Sequence, residues 1–97
     1  MEIAGKIVVV TGAAGGIGRA LAQGFAAAGA AHVVCADLDG DGAGQVAAEI
    51  GGTGVQVDVT QEAQIAELVT MVEGQIGPID LFCSNAGIFT PGGMEVA

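Results

Sequence analysis

The sequence has very little positive charge and few aromatic side chains. Among its 97 residues, Lys6 and Arg19 stand against 11 acids, which gives a net charge of −9 with the single histidine neutral. Proteins that bind nucleic acid neutralise its phosphates with many Lys and Arg, so we expect no nucleic-acid partner. There is no Trp or Tyr and there are only three Phe, a composition that suits thin helix-on-sheet layers better than a bulky helical bundle.

Long apolar runs and metal-ligand clusters are also missing. No run approaches the ~20 residues of a membrane-spanning helix, and Glu2 stands where a secretory signal carries positive charge. We therefore expect a cytoplasmic protein with no membrane partner, in which Cys35 and Cys83 are reduced and buried rather than bridged. His32 is the only histidine, and we expect no metal site because such sites need several ligands.

Strand-like and helix-like segments alternate along the chain. Apolar runs predict strands over 6–11, 31–37, 54–59 and 79–87 (the last with its exit turn), and apolar residues at helical spacing predict helices over 16–28, 41–50 and 61–76. We expect Thr60 to cap the third helix. Helices supply the long crossovers that parallel strands need. The βαβαβαβ pattern therefore predicts the N-terminal portion of a doubly wound α/β fold of the Rossmann type, with a parallel sheet in the order 3-2-1-4.

The sequence after residue 87 loses this pattern. "IFTPGGMEVA" is turn-like and predicts no fifth strand. A doubly wound sheet that ends at its fourth strand exposes an edge to solvent or to another chain. We therefore interpret residues 1–97 as one incomplete domain, the front part of a longer protein.

The turn "VTGAAGGIG" at residues 10–18 carries the first functional signal. It joins a strand to an amphipathic helix, which is the context that a phosphate-binding glycine turn requires. Gly12 permits the tight turn, Gly16 lets a pyrophosphate approach the helix N–H groups, and Gly18 lets the helix lie close against the sheet. There is no GK[ST] triplet, which excludes a P-loop. The turn predicts a dinucleotide site.

Asp37 supports the same interpretation from the second strand. It ends that strand, 19 residues after Gly18, near the ~20-residue offset at which an acid binds the ribose hydroxyls of NAD. A carboxylate there repels the 2′-phosphate of NADP, and no Lys or Arg follows Asp37 closely to offset the repulsion. The predicted cofactor is therefore NAD.

With these residues assembled, the chain resembles the N-terminal part of the short-chain dehydrogenase/reductase family over essentially all of its length. The resemblance rests on four landmarks in order, Thr11-Gly12-x-x-x-Gly16-Ile17-Gly18, Asp37, Asp58-Val59 and Asn85-Ala86-Gly87. It implies that Asp58 binds the adenine amino group beside the Val59 backbone. It also implies that Asn85 ties the central strands together, that Ala86 and Gly87 line the ribose side, and that Ile17 lies against the nicotinamide.

The resemblance further implies an oxidoreductase that transfers hydride between NAD and an alcohol or carbonyl substrate, and a homo-oligomer at full length. The family's Tyr and Lys catalysts have no counterpart here, because the chain has no Tyr and its only Lys is Lys6. We assign no catalytic residue and expect the 97 residues to be inactive alone. Two alternatives stay open, a non-catalytic NAD(H)-binding or regulatory module and a methyltransferase. The methyltransferase is disfavoured because Thr11, not an acid, ends the first strand.

Overall fold

The computed structural model describes residues 2–84 and 87–89 of the chain. Its elements follow the predicted alternation, with boundaries that differ from the predicted ones by a few residues. They are β1 (Ile7–Thr11), α1 (Gly16–Ala27), β2 (His32–Asp37), α2 (Gly40–Ile50), β3 (Thr53–Gln56), α3 (Glu62–Gln75), β4 (Leu81–Ser84) and β5 (Gly87–Phe89). Asn85 and Ala86, two of the predicted cofactor residues, lie outside the described residues.

The strands form one sheet in the order β3-β2-β1-β4-β5. β1 is central and pairs in parallel with β2 and β4, while β2 pairs in parallel with β3. The predicted 3-2-1-4 order is therefore confirmed. Cys35 and Cys83 both pair in register with Val10, one on each side, and both are buried free thiols, as expected. Burial raises the pKa of the Cys35 thiol to about 11, so this thiol is not ionised at neutral pH.

The fifth strand corrects the prediction that the pattern ends at Gly87. β5 pairs antiparallel with β4, with Ser84 opposite Gly87 and Phe82 opposite Phe89. Two residues separate Ser84 from Gly87 in the sequence. A three-residue strand is too short to produce a recognisable alternation, so the sequence pattern could not reveal it.

Two apolar layers cover the sheet, one on each face. Alternate residues of each strand point to opposite faces, so Val8 and Val10 join the layer under α1 and α2, while Val9 joins the layer under α3. All three valines are at most 1 % exposed. This double covering explains why the central strands are continuous apolar runs. Within the described residues, no helix is long and apolar enough to cross a membrane.

Candidate nucleotide-binding site

The turn between β1 and α1 lies at the carboxyl end of the sheet and is held by the neighbouring strand. Gly12 has a φ of +68°, a left-handed conformation that glycine adopts without steric cost. The next N–H, that of Ala13, donates to the carbonyl oxygen of Ala36 in β2 over 3.1 Å, and Ala13 is fully buried. The chain therefore leaves β1 along a fixed path toward β2.

Gly18 is the point of closest approach between α1 and this turn. A Cβ on Gly18 would overlap the Gly12 carbonyl oxygen and would lie 2.5 Å from its carbon and 3.0 Å from Ala13 Cα. These are backbone atoms, which cannot move aside as a flexible side chain can. We predicted that Gly18 brings the helix against the sheet. The structure shows it bringing the helix against the backbone of the turn, which fixes where the helix begins.

The amino end of α1 is open. Its N-cap residue, Gly15, makes no side-chain cap hydrogen bond, and the first turn contains no acid. A Cβ on Gly15 or Gly16 would meet nothing within 4 Å, and Ile17 is 79 % exposed. The first N–H groups of a helix have no intrahelical acceptor. The beginning of α1 thus presents donors and the positive end of the helix dipole to an accessible space.

The beginning of α2 differs, because its own side chain caps it. The Asp39 carboxylate accepts a hydrogen bond from the Gly42 N–H over 3.0 Å, and Asp41 lies in the first turn. Two negative side chains thus already face the positive end of this helix. Of these two helix ends, the beginning of α1 is the one suited to an external anion.

The Asp37 carboxylate lies between these two helix ends and accepts two backbone hydrogen bonds. Its Oδ2 accepts from the N–H of Ala14, in the glycine turn, over 3.0 Å, and its Oδ1 accepts from the Asp39 N–H over 2.9 Å. Because each carboxylate oxygen has two lone-pair sites, both oxygens keep capacity for a further donor. Asp37 ends β2, as predicted, and its carboxylate is directed by the backbone on both sides.

Asp58 follows β3 and is oriented by Thr60. Its Oδ1 accepts from the Thr60 hydroxyl over 2.6 Å and from the Thr60 N–H over 3.0 Å, and these bonds lower the pKa of the Asp58 carboxyl below its usual 3.8. The expectation that Thr60 caps α3 is therefore wrong. The N-cap is Gln61, one residue later than expected, and it makes no side-chain cap bond.

The substitution Thr60→Val is expected to raise the pKa of Asp58 toward its usual value, because valine removes the hydroxyl donor and keeps the backbone N–H. A carboxyl-carbon NMR titration of Asp58 measures this pKa. Thr60→Ser, which keeps a hydroxyl, should leave the pKa depressed. An unchanged Asp58 pKa in the valine variant would show that the hydroxyl bond has no effect in solution.

Gly12, Asp37 and Asp58 line one cavity of about 540 Å³ at the carboxyl edge of the sheet, whereas Gly16, Ile17 and Gly18 at the start of α1 are not among its lining residues. Its polar lining includes Thr11, Asp37, Asp58 and Ser84, with the Gly12 backbone. Apolar side chains from the loops after β2 and β3, from α3 and from β4 complete the wall, namely Leu38, Val57, Val59, Ile65 and Phe82. Four of the residues predicted to bind the cofactor, Gly12, Asp37, Asp58 and Val59, therefore line the same cavity.

Leu38 is one of the lining residues that sequence reasoning did not assign to the site. It is 64 % exposed, and Val59 is 52 % exposed, so two apolar side chains follow neighbouring strands and face the same accessible space. Exposed large apolar side chains beside a pocket are typical of ligand sites. Its position in the sequence, directly after the acid Asp37 that ends β2, could have indicated that Leu38 lies near the site.

Neither basic side chain of the chain belongs to this cavity. Lys6 immediately precedes β1 and so lies toward the opposite, amino edge of the sheet. Arg19, in α1, pairs with both carboxylate oxygens of Glu49 in α2, over 2.8 and 3.0 Å. Among the described residues, no group of three or more His, Cys, Asp or Glu could hold a metal ion. The site offers backbone donors and carboxylate acceptors.

Comparison with known proteins places the chain in one family. A model of the family described as short chain dehydrogenase matches residues 6–96. The chain is 44% identical over 101 aligned positions to 1-deoxy-11-beta-hydroxypentalenate dehydrogenase of Streptomyces exfoliatus, covering 99% of this chain and 36% of that protein. The chain thus spans about a third of the length of the curated relatives it matches.

Two solved structures resemble the chain closely. Hydroxysteroid dehydrogenase from Escherichia coli superimposes with a TM-score of 0.78 at 32% identity, covering 84% of this chain and 35% of that one. A chain from Brucella melitensis 16M, described as ribose-5-phosphate isomerase, superimposes with a TM-score of 0.81 at 37% identity. The match covers 94% of this chain and 37% of that one. These two structures share the fold but are described as an isomerase and a dehydrogenase. The fold alone therefore does not identify a reaction, which has to be argued from the site.

Proposed function

This chain belongs to the short chain dehydrogenase family, and on that premise we propose that it is the NAD(H)-binding portion of an oxidoreductase that transfers hydride between NAD and an alcohol or carbonyl substrate. The observation that carries the proposal is that Gly12 of the glycine turn and the oriented Asp37 carboxylate line one cavity, while the open start of α1 follows that turn directly in the chain. Ligands of open α/β sheets bind outside the carboxyl ends of the strands, where this cavity lies.

The pyrophosphate of NAD fits the beginning of α1. Gly16 leaves open space where another residue would place a side chain, and the helix start supplies unpaired N–H donors and a favourable dipole. Within the described residues, Arg19 is the one lysine or arginine near this turn, and its guanidinium forms an ion pair with Glu49. The phosphate charge would therefore be balanced by backbone donors, and Gly12 and Gly18 would keep those donors in place.

The adenosine half fits the two acids. Asp37 would accept the ribose hydroxyls, Asp58 would accept the adenine amino group, and Val59 would lie beside the base. NADP carries a phosphate on that ribose, and with no basic side chain lining the cavity the Asp37 charge would repel it. NAD is therefore the proposed cofactor.

The remaining predicted contacts complete the proposal toward the nicotinamide. Ile17, which is exposed beside the turn, would lie against that ring. Ala86 and Gly87 would line the ribose side, and Asn85 would tie the central strands together near the cofactor. When bound, NAD supplies the acceptor for a hydride. The protein groups that move the proton are proposed to lie outside this sequence, which has no Tyr. We also propose a cytoplasmic location and a homo-oligomer for the full-length protein.

Replacing Asp37 by alanine is expected to weaken NADH binding by about 1.5–3 kcal/mol, the range for hydrogen bonds to a charged group. The preference for NADH over NADPH should narrow, because the carboxylate that repels the 2′-phosphate is gone. Nicotinamide fluorescence during titration of the chain with each cofactor measures both effects. Unchanged selectivity would remove Asp37 from this role, and failure of the unmodified chain to bind millimolar NADH would contradict the proposed function.

A non-catalytic module that binds NAD(H) is the second candidate. It is favoured by the absence of Tyr from the sequence and by the position of Lys6, the only lysine, on the side of β1 away from the cavity. The coding sequence downstream of residue 97 separates the two candidates. A Tyr-x-x-x-Lys motif there would support the enzyme, whereas a reading frame that ends without one would support the module.

A further inference from the structure

We infer that the Asp37 carboxylate positions the phosphate-binding turn as well as the ribose, so that one side chain connects the two halves of the nucleotide site. The inference rests on the proposed function, because it concerns the same site. What carries it is the hydrogen bond of 3.0 Å from the Ala14 N–H to Asp37 Oδ2, which joins residues 23 positions apart in sequence.

This bond is one of two that attach the glycine turn to β2. The other runs from the Ala13 N–H to the Ala36 carbonyl oxygen over 3.1 Å. Ala13 and Ala14 are consecutive, and both donate to consecutive residues of β2, so the two bonds continue the β1–β2 pairing beyond the end of β1 at Thr11. Only one of these two bonds depends on a side chain, and that side chain belongs to Asp37.

The position of Ala14 explains why this bond affects phosphate binding. Ala14 immediately precedes Gly15 and Gly16, the residues that begin α1. If the Ala14 N–H loses its acceptor, the turn can move relative to β2, and the donors at the helix start move with it. Anion binding by backbone N–H groups depends on their common direction, so an unfixed turn should bind phosphate less well.

The second oxygen of Asp37 also accepts a hydrogen bond, and the two bonds together fix the orientation of the carboxylate. Oδ1 accepts from the Asp39 N–H over 2.9 Å while Oδ2 accepts from Ala14. Asparagine at position 37 keeps the shape but has only one acceptor oxygen. Since two N–H donors face the group, one of them would meet an amide NH₂ and lose its bond. Asp37→Asn therefore removes part of the positioning with almost no change in volume.

Asp39→Asn is the matched control. It removes the same charge two residues away, keeps an oxygen that can accept from the Gly42 N–H, and leaves the Asp39 backbone N–H bond to Asp37 in place. Loss of a negative charge near a diphosphate reduces repulsion. Any charge effect common to the two variants would therefore strengthen nucleotide binding, which is opposite to the effect that the positioning role predicts.

The experiment compares ADP with 2′,3′-dideoxy-ADP by calorimetry on the unmodified chain and both variants. The dideoxy nucleotide lacks the hydroxyls that Asp37 is proposed to bind, so a role limited to the ribose predicts no weakening of this ligand by Asp37→Asn. The positioning role predicts that Asp37→Asn weakens the dideoxy nucleotide by about tenfold, which corresponds to a turn that keeps its binding geometry about a tenth of the time, and that Asp39→Asn does not. Asp37→Ala, which keeps no acceptor at position 37, should weaken the dideoxy nucleotide as well, and hydrogen exchange of the Ala14 amide without ligand should be faster in Asp37→Ala but not in Asp39→Asn.

The outcomes separate this inference from the proposed function. Weakened ADP binding with unchanged dideoxy-ADP binding in both Asp37→Asn and Asp37→Ala would overturn the positioning role and leave the ribose role standing. Equal weakening by Asp39→Asn would also overturn it, because the effect would then not depend on the Ala14 contact. Failure of the unmodified chain to bind ADP would instead overturn the proposed function on which the inference rests.

Discussion

Replacing Gly16 by valine is expected to abolish NADH binding while the fold is retained. A Cβ at Gly16 meets nothing within 4 Å in the structure, so valine has room in the free protein. Valine also has a higher helix propensity than glycine, and the helix should persist. The same open space is where the pyrophosphate is proposed to lie, so the branched side chain would exclude it from the N–H donors of α1.

The matched control for Gly16→Val is Gly24→Val. Gly24 lies in the same helix, and a Cβ there also meets nothing within 4 Å, but it is two turns further from the glycine turn. Gly24→Val should bind NADH as the unmodified chain does, with similar far-ultraviolet circular dichroism in all three proteins. If Gly16→Val bound NADH with normal affinity, the assignment of the turn to phosphate binding would be refuted.

Gly18→Ala is expected to damage the fold as well as the site. The added Cβ would overlap the Gly12 carbonyl oxygen and lie 2.5 Å from its carbon, so α1 and the turn must move apart. Overpacking of this kind costs about 1–3 kcal/mol, and the gain from replacing a helical glycine offsets only about 0.5–1 kcal/mol of it. We expect a lower free energy of unfolding in urea and much weaker NADH binding.

Gly24→Ala provides the reference for this substitution. It makes the same chemical change in the same helix, where the Cβ meets open space, and should leave the stability equal or increase it by up to about 1 kcal/mol. A Gly18→Ala variant as stable as Gly24→Ala would mean that the close approach of α1 to Gly12 is absent in solution.

The sequence predicted the order of elements because each carries its own local signal. The buried strands are continuous apolar runs, and Gly12, Gly16 and Gly18 stand where a strand passes into a helix. The strand order follows from the crossover rules, and Asp37 could be placed by its distance from Gly18. These features depend on neighbours in sequence or on general rules of chain connection, so a single sequence is enough to predict them.

The features that sequence reasoning missed depend on contacts between distant residues. The Ala14 N–H bond to Asp37 and the Arg19–Glu49 pair join residues 23 and 30 positions apart, and no spacing rule indicates either. Thr60 was expected to cap α3, but the N-cap is Gln61, and the hydroxyl and N–H of Thr60 donate to the preceding acid Asp58. The exact residue at which a helix begins depends on its packing in the fold, and β5 is too short to produce a pattern.

The central claim is that the backbone N–H groups at the beginning of α1 bind the nucleotide's phosphates at the carboxyl edge of the sheet. The most direct measurement is the change in amide chemical shifts when the isotopically labelled chain is titrated with NAD. The largest changes are predicted at Gly16 and Ile17, with smaller ones at Asp37 and Asp58. Saturable changes confined to other parts of the chain, with the amides of Gly16 and Ile17 unaffected, would contradict the claim.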